Sequence, residues 1–420
     1  MSFWRRLLGR EGEPAPAACT ALDVGTEFAK ALVFEIDEQD HGIVRGVGRQ
    51  RQGLSHMQSG TVADIAAVVD NCAVALQEAE EMAGFRPSQV VIGIAGELVK
   101  GFTTSLSQER KRPDAPITEQ ELQKLIDGVQ HEALREAERS ITWETGLPNV
   151  DVRLVHAAVT SAAIDGYPVT NPVGFQGRHV RISIFNAFAP LVHLGALQSV
   201  AGQLDLELLA IVAEPYAVAR CLAGEQIQQS GGLFVDVGGG TTDVALVRQG
   251  GIEGTRMFAL GGRAFTKSLS DQLGLPFPRA EQLKIDYARG LEVENRERVA
   301  GIVAEDVAVW SAGVELVLEE LSGAELLPGR VFLCGGGAGL PEVATALRDE
   351  KFASRLPFAR RPEVTVAMPS EVQGIRDATK LLVDQQDVTP LGLAFQAIEM
   401  AATESPLDAA LRRVLRAMKV

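Results

Sequence analysis

Apolar residues run along this chain in short, nearly unbroken blocks that stop abruptly on an acid or on glycine. VVIGIAG (90–96), LELLAIVAE (206–214), FVDV (234–237) and RVFLC (330–334) are of this kind. Such blocks predict strands buried on both faces, as in a sheet covered by helices. Between them the period changes. Val62, Ile65, Ala66, Val69, Ala73 and Leu76 recur at helical spacing and predict a helix over 61–84 that closes near Gly84. Residues 100–139 turn charged. Pro113 and Pro116 interrupt them before TEQELQKLIDGVQHEALREAE (118–138), where Thr118 and Glu121 have the spacing of a capping box. Further strands are expected at 151–164 and 179–188, with helices at 191–203 and from Pro215. The alternation predicts an α/β protein.

Two of the strand blocks end in related ways. LDVGTEFAKALV (22–33) and VDVGGGTTDVAL (235–246) each place an aspartate at a strand end, then a Gly/Thr turn, then another strand, which suggests an internal duplication. Glycines in a turn cost backbone entropy, and in return let the backbone approach something closely. A tight hairpin explains either unit alone. Facing each other across a cleft, the two would grip a polyphosphate with backbone N–H groups. Gly25, Thr26, Gly238, Gly239 and Gly240 would supply close approach, Thr241 and Thr242 hydroxyls, and Lys30 a cation. Asp23 and Asp236 would hold a hydrated Mg²⁺, an ion that keeps several waters and takes few protein carboxylates.

Two later segments suit the rest of a nucleotide. LCGGGAGLP (333–341) ends a strand on Gly335, Gly336 and Gly337, a flat surface for a planar base, or else an ordinary strand-to-helix turn. RAEQLKIDYA (279–288) puts Glu281 and Lys284 on one helix face, within reach of ribose hydroxyls or simply paired with each other.

Composition narrows the class. With 420 residues, 46% of them hydrophobic, the chain can bury more than one core, so two or more lobes are expected. A net charge of −15 argues against non-specific nucleic-acid binding by the body of the protein. Cys19, Cys72, Cys221 and Cys334 have neither CxxC nor metal-site spacing and read as reduced thiols. No apolar run has the length of a spanning helix or a secretory signal, so the expectation is a cytoplasmic protein.

In order, the first hairpin, Glu214-Pro215, the second hairpin, AExxK and GGG resemble the actin/chaperone/sugar-kinase ATPase superfamily. Within it, AEEMAGFRPSQVVIGIAG, PITEQELQKLI, NPVGFQG, ALGGRAFTKSL and DVTPLGLAF resemble the bacterial cell-division FtsA family over about residues 20–400. The resemblance implies an actin-like two-lobe ATPase fold with duplicated mixed sheets, ATP and Mg²⁺ as cofactors, and Gly262 on the phosphates. It also implies Glu214 positioning the attacking water, Asp236 organising the metal, and at most slow hydrolysis. The implied organisation is an N-terminal basic segment and linker at 1–18 and a first lobe at 19–98, 179–215 and 365–402. An inserted subdomain at 99–178, a second lobe at 216–364 and a basic helix at 403–420 complete it. Implied partners are an FtsZ-like tubulin homologue, other division proteins, further copies of the chain and an anionic membrane surface. DVGTEFAKALV equally resembles the pilus protein PilM, which keeps a type IV pilus platform as the alternative. Glu27 departs from the family, since a carboxylate in a phosphate turn repels phosphate unless it points away.

The two ends are basic and amphipathic. MSFWRRLLGR combines Phe3, Trp4, Leu7 and Leu8 with Arg5, Arg6 and Arg10, ahead of a Pro/Ala/Gly-rich spacer. In LDAALRRVLRAMKV, Leu407, Leu411, Val414, Leu415 and Met418 share one helical face, with arginines on the remainder. Either end suits the inner face of the cell membrane, and either could instead dock on its own domain. The tail follows its last domain helix after only TESP, whereas the N-terminal segment has a spacer. The N-terminal segment is therefore the expected anchor.

Overall fold

The computed structural model describes residues 17–148, 150–248, 250–401 and 406–418. The N-terminal segment and its spacer up to residue 16 lie outside them, and Ala17 and Ala18, expected in the spacer, begin the first strand. Along the chain, β1 (Ala17–Val24), β2 (Phe28–Ile36) and β3 (Gly42–Arg51) lead into α1 (Ile65–Ala83) and β4 (Gln89–Ile94). Then come β5 (Lys100–Glu109), α2 (Glu119–Thr145), β6 (Val152–Ile164) and β7 (His179–Pro190). Helix α3 (Leu191–Gln203), β8 (Glu207–Ala213) and α4 (Glu214–Leu222) precede β9 (Gly232–Val237), β10 (Thr242–Arg248) and β11 (Gly251–Phe258). The last part carries α5 (Gly262–Leu273), α6 (Phe277–Ala288), α7 (Arg296–Ser322), β12 (Arg330–Cys334) and α8 (Pro341–Arg348). It ends with β13 (Glu363–Val366), β14 (Ile375–Asp377), α9 (Val388–Ala401) and α10 (Pro406–Met418).

These strands make two large mixed sheets. The first has the order β8-β4-β1-β2-β3-β14. The second runs β13-β12-β9-β10-β11-β5-β7-β6 and ends on the two-residue strand Tyr167–Pro168. In each, an antiparallel hairpin sits beside a parallel neighbour: β1–β2 with β4, and β9–β10 with β12. This is the duplication that the two Asp-x-Gly units foretold.

The central strands β1, β2, β4, β9 and β10 are buried on both faces, which is why they read as continuous apolar blocks. Helices α4 and α9 lie between them. Tyr216, Ala217, Leu391 and Leu393 share one core with Leu32, Phe34 and Val212 of the first sheet and Phe234 and Ala245 of the second. Outside the first sheet, α1 and α3 cover Leu22, Val33 and Ile92. Outside the second, Trp310 of α7 and Phe265 of α5 cover Val235 and Val244. Apolar burial at roughly 25 cal/mol per Å² makes this shared middle layer the main force holding the lobes together.

Local chemistry sets the helix ends. Asp64 caps α1 by accepting from the Ala67 N–H, and Gly84 closes the helix in the left-handed conformation at φ 78°. Thr118 caps α2 by accepting from Glu121 N–H at 3.2 Å. The return half of the expected capping box is diverted, because the Glu121 carboxylate takes Arg110 instead, at 2.6 Å.

One expectation needs correction. Strand His179–Pro190, assigned from sequence to the first lobe's return, pairs instead with β5 and β6. Strand β5 in turn joins β11 of the second sheet through Gly254–Phe102 and Thr255–Gly101. Pairing across such a sequence distance leaves no local signal. For the tail, the docking alternative left open by the sequence is the one the structure takes. Leu407, Ala410, Leu411 and Val414 of α10 are buried in a cluster with Leu122 and Ile126 of α2 and Ala162 of β6. Arg413 lies 3.3 Å from Glu119. The described part of the apolar stripe, Leu407, Leu411 and Val414, is covered by α2 and β6.

Candidate functional site

The two hairpins face each other across a cleft with a cavity of about 390 Å³. Its walls hold Asp23, Gly25, Thr26, Lys30, Glu214, Asp236, Gly238, Gly239 and Thr241, with Gly262, Glu281, Lys284, Gly335, Gly336 and Gly337 from the second lobe. Fifteen of the residues singled out from sequence therefore meet at one place.

The floor is acidic. In the first hairpin Asp23 is the register partner of Lys30, and Lys30 Nζ reaches Asp23 Oδ2 at 3.1 Å and the Gln386 carbonyl at 2.8 Å. In the second hairpin the equivalent partners are both acids, Asp236 and Asp243. Like charges directly opposite on a sheet destabilise it. Burial pushes the Asp243 carboxyl up to about 8, and neighbouring Asp236 adds to the shift. Asp236 is itself raised, first by burial, against a hydrogen bond donated by Thr389 Oγ1. Glu214 opens α4 beside them. Its carboxyl is held well above the usual range by burial first, then by Asp23, Asp243 and Asp236. Four carboxyl groups, Asp23, Asp236, Asp243 and Glu214, thus gather beside the Lys30 ammonium, a floor short of positive charge. Such a floor fits a hydrated divalent cation. No three His, Cys, Asp or Glu side chains among the described residues converge to ligate a metal directly.

The walls are glycine-lined for close packing. A Cβ on Gly239 would come within 2.9 Å of Glu27 Cβ, and one on Gly240 within 2.9 Å of Thr26 Cγ2. Gly240 therefore abuts the first turn and does not line the cavity. Gly335 takes φ 81° and leaves no room for a side chain beside Asp236 and the Val237 carbonyl, while Gly336 faces open space. Helix α5 begins at Gly262, whose carbonyl accepts from Lys284 Nζ at 2.8 Å. Lys284 also pairs with Glu281 at 2.8 Å. The pair foreseen on the α6 face is real, and it is buried in the cleft wall.

Thr242, like Gly240, lies outside the cavity wall. Thr242 Oγ1 donates to the Leu260 carbonyl at 2.7 Å and accepts from Trp310 Nε1 at 2.9 Å. Its hydroxyl is spent inside the second lobe and is absent from the cavity wall. Successive strand residues point to opposite faces, so of two adjacent threonines only one could serve the cleft. The sequence reading also passed over Asp243, Thr389 and Arg263. Asp243 had a signal: it stands seven residues after Asp236, as Lys30 does after Asp23, which makes both register partners across a hairpin.

Comparison with known proteins agrees with this architecture. The family model described as cell division protein FtsA matches residues 233–379. Cell division protein FtsA of Pseudomonas aeruginosa is 26% identical over 388 residues, covering 86% of this chain and 85% of that protein. Its Bacillus subtilis counterpart is 24% identical over 384 residues, covering 85% and 80%. The chain is similar to FtsA over most of its length. Among solved structures, a PilM–PilN type IV pilus biogenesis complex superposes with TM-score 0.63 at 17% identity, over 90% of this chain and 98% of that one. MreB5 of Spiroplasma citri bound to AMPPNP gives 0.50 at 14% identity, over 92% and 98%. These two likenesses show the actin-like fold. No described helix is long and apolar enough to cross a membrane.

Proposed function

We propose that this chain is an FtsA-like actin homologue that binds ATP with Mg²⁺ in the cleft and links an FtsZ-like tubulin homologue to the inner face of the cell membrane. There it recruits other division proteins and associates with further copies of itself. The observation that carries the reading is the meeting of both Asp-x-Gly hairpins, the Glu281–Lys284 pair and the Gly335–Gly337 turn around one cavity, in a chain similar to FtsA over most of its length.

In this reading Gly25, Thr26, Gly238, Gly239 and Thr241 flank the phosphates, and Lys30 supplies a cation beside them. Gly262, at the start of α5, adds the positive end of a helix dipole. Asp236 and Asp23 hold the ion's water shell. Bound Mg²⁺ neutralises phosphate charge. Glu214 would orient the attacking water and, in its ionised form, accept the water's proton, against the burial and the neighbouring Asp23, Asp243 and Asp236 that raise its carboxyl. Glu281 and Lys284 face the ribose, and Gly335, Gly336 and Gly337 the base. The reaction is hydrolysis, at a slow rate suited to timing assembly. Residues 1–10, outside the described part of the chain, are the proposed membrane anchor. Each basic residue near an anionic leaflet is worth about 1 kcal/mol, so assembly of many copies supplies the avidity.

Co-pelleting on anionic liposomes tests this role. A tubulin-like division protein should pellet with vesicles only when the chain and ATP are both present. Recruitment of pilus inner-membrane proteins in its place would establish the PilM-like alternative, which the DVGTEFAKALV hairpin also resembles. A second assay concerns Glu214→Ala, which should leave nucleotide affinity intact while removing most phosphate release. Equal release by both proteins would reject Glu214 as the water-positioning residue.

A further inference from the structure

Glu27, out of place in a phosphate turn by sequence, has partners that reach across the cleft. Its Oε1 accepts from Arg51 Nε at 2.7 Å and lies 2.6 Å from Arg51 Nη2, within the first lobe. Its Oε2 accepts from Arg263 Nε at 2.7 Å, and Arg263 is the second residue of α5 in the other lobe. The Arg263 guanidinium extends further over the first lobe, with Nη1 3.4 Å from the Leu54 carbonyl and Nη2 3.4 Å from that of Gln52. Its backbone N–H is fixed on the Gly239 carbonyl at 2.7 Å. The Glu27 and Arg263 side chains keep only 16% and 15% of their exposure, whereas Arg51 keeps 45% and marks the solvent side.

Three facts point the same way. The Glu27 charge is answered by two guanidinium groups, so it does not stand bare toward an incoming phosphate. The bridge runs between lobes, so it resists their separation. And the turns it joins touch, because Gly239 and Gly240 give Glu27 and Thr26 room to approach. We propose that Glu27 and Arg263, backed by Arg51, are positioning residues that clasp the two hairpin turns and set how fast a nucleotide leaves. This rests on the nucleotide reading of the cleft above. The clasp acts through closure. An ion pair of this kind weakens as salt screens it, so closure of this chain depends on ionic strength as well as on nucleotide.

Two measurements on the full chain test the clasp. In the first, a fluorescent N-methylanthraniloyl-ATP is chased from the cleft with excess ATP. Glu27→Gln and Arg263→Gln should each speed release about fivefold, the upper range for a partly exposed pair. The double variant should release no faster than either single one, and raised salt should speed release from the parent chain only. Unchanged release, slower release or additive effects would overturn the clasp; slower release would instead make Glu27 a repulsive neighbour. The second measurement needs no nucleotide. Spin labels on Val74→Cys in α1 and Val309→Cys in α7, both exposed, report the distance between lobes, and the four native thiols are buried. Glu27→Gln should lengthen or broaden that distance, and an unchanged distribution contradicts the clasp. Should the fluorescent nucleotide not bind at all, the nucleotide reading fails, and the labels still decide the clasp.

Discussion

Asp243 and Thr242 are adjacent in sequence and serve opposite sides of the same strand, which makes them the sharpest residue-scale tests. Asp243 is buried opposite Asp236, and its folded pKa of about 8 lies far above that of an unfolded aspartate. Its contribution to stability is full below the unfolded value near pH 4 and is lost as pH rises through about 8. Without nucleotide or metal, urea midpoints should fall between pH 5 and pH 8.5, and Asp243→Asn should flatten that decline. An Asp243→Asn profile as steep as the parent's would show that this carboxyl does not carry the effect. Thr242→Val tests the correction made above. It strands the Trp310 N–H and the Leu260 carbonyl in the core, which should cost about 1–3 kcal/mol of stability. Nucleotide affinity should be unaltered once the variant is folded, and a selective loss of affinity would return Thr242 to the site. Sequence alone could not choose between Thr241 and Thr242, because both suit a phosphate turn and only the pleat separates them.

Elements were legible wherever their cause was local. The Asp-x-Gly turns, the continuous apolar strands, the Thr118 cap and the Gly84 closure all follow from residues within a few positions of each other. The β1–β2 and β9–β10 hairpins appear as read. What was not legible depends on distant pairing: β7 between β5 and β6, the junction of β5 with β11, and the seat of α10. An amphipathic helix with arginines on its outer face looks the same whether its apolar stripe meets lipid or protein. Here Leu407, Leu411 and Val414 meet α2 and β6. Removing residues 407–420 should therefore lower the thermal midpoint by exposing the apolar face of the inserted subdomain. Liposome sedimentation should persist in that deletion and fall when residues 1–10 are removed. The reverse pattern would mean that α10 leaves its seat to bind lipid.

At the scale of the whole molecule, two sheets share one middle layer of helices, and the cleft lies where their hairpins converge. That arrangement followed from motif order more than from any one motif, since each taken singly had an ordinary explanation. The charge imbalance of the cleft floor was invisible from sequence, because it required Asp23, Glu214, Asp236 and Asp243 to be brought together by folding. The account stands on one claim, that this floor and the glycine turns above it take up a magnesium nucleotide. Calorimetric titration with ATP tests it most directly. The parent chain should bind one ATP in the presence of Mg²⁺ and bind far more weakly in EDTA. Asp236→Ala, which removes an acid from the floor, and Gly239→Val, which forces the two turns apart, should each abolish the binding heat while the protein stays folded. Undiminished affinity in both variants would contradict the assignment of the cleft.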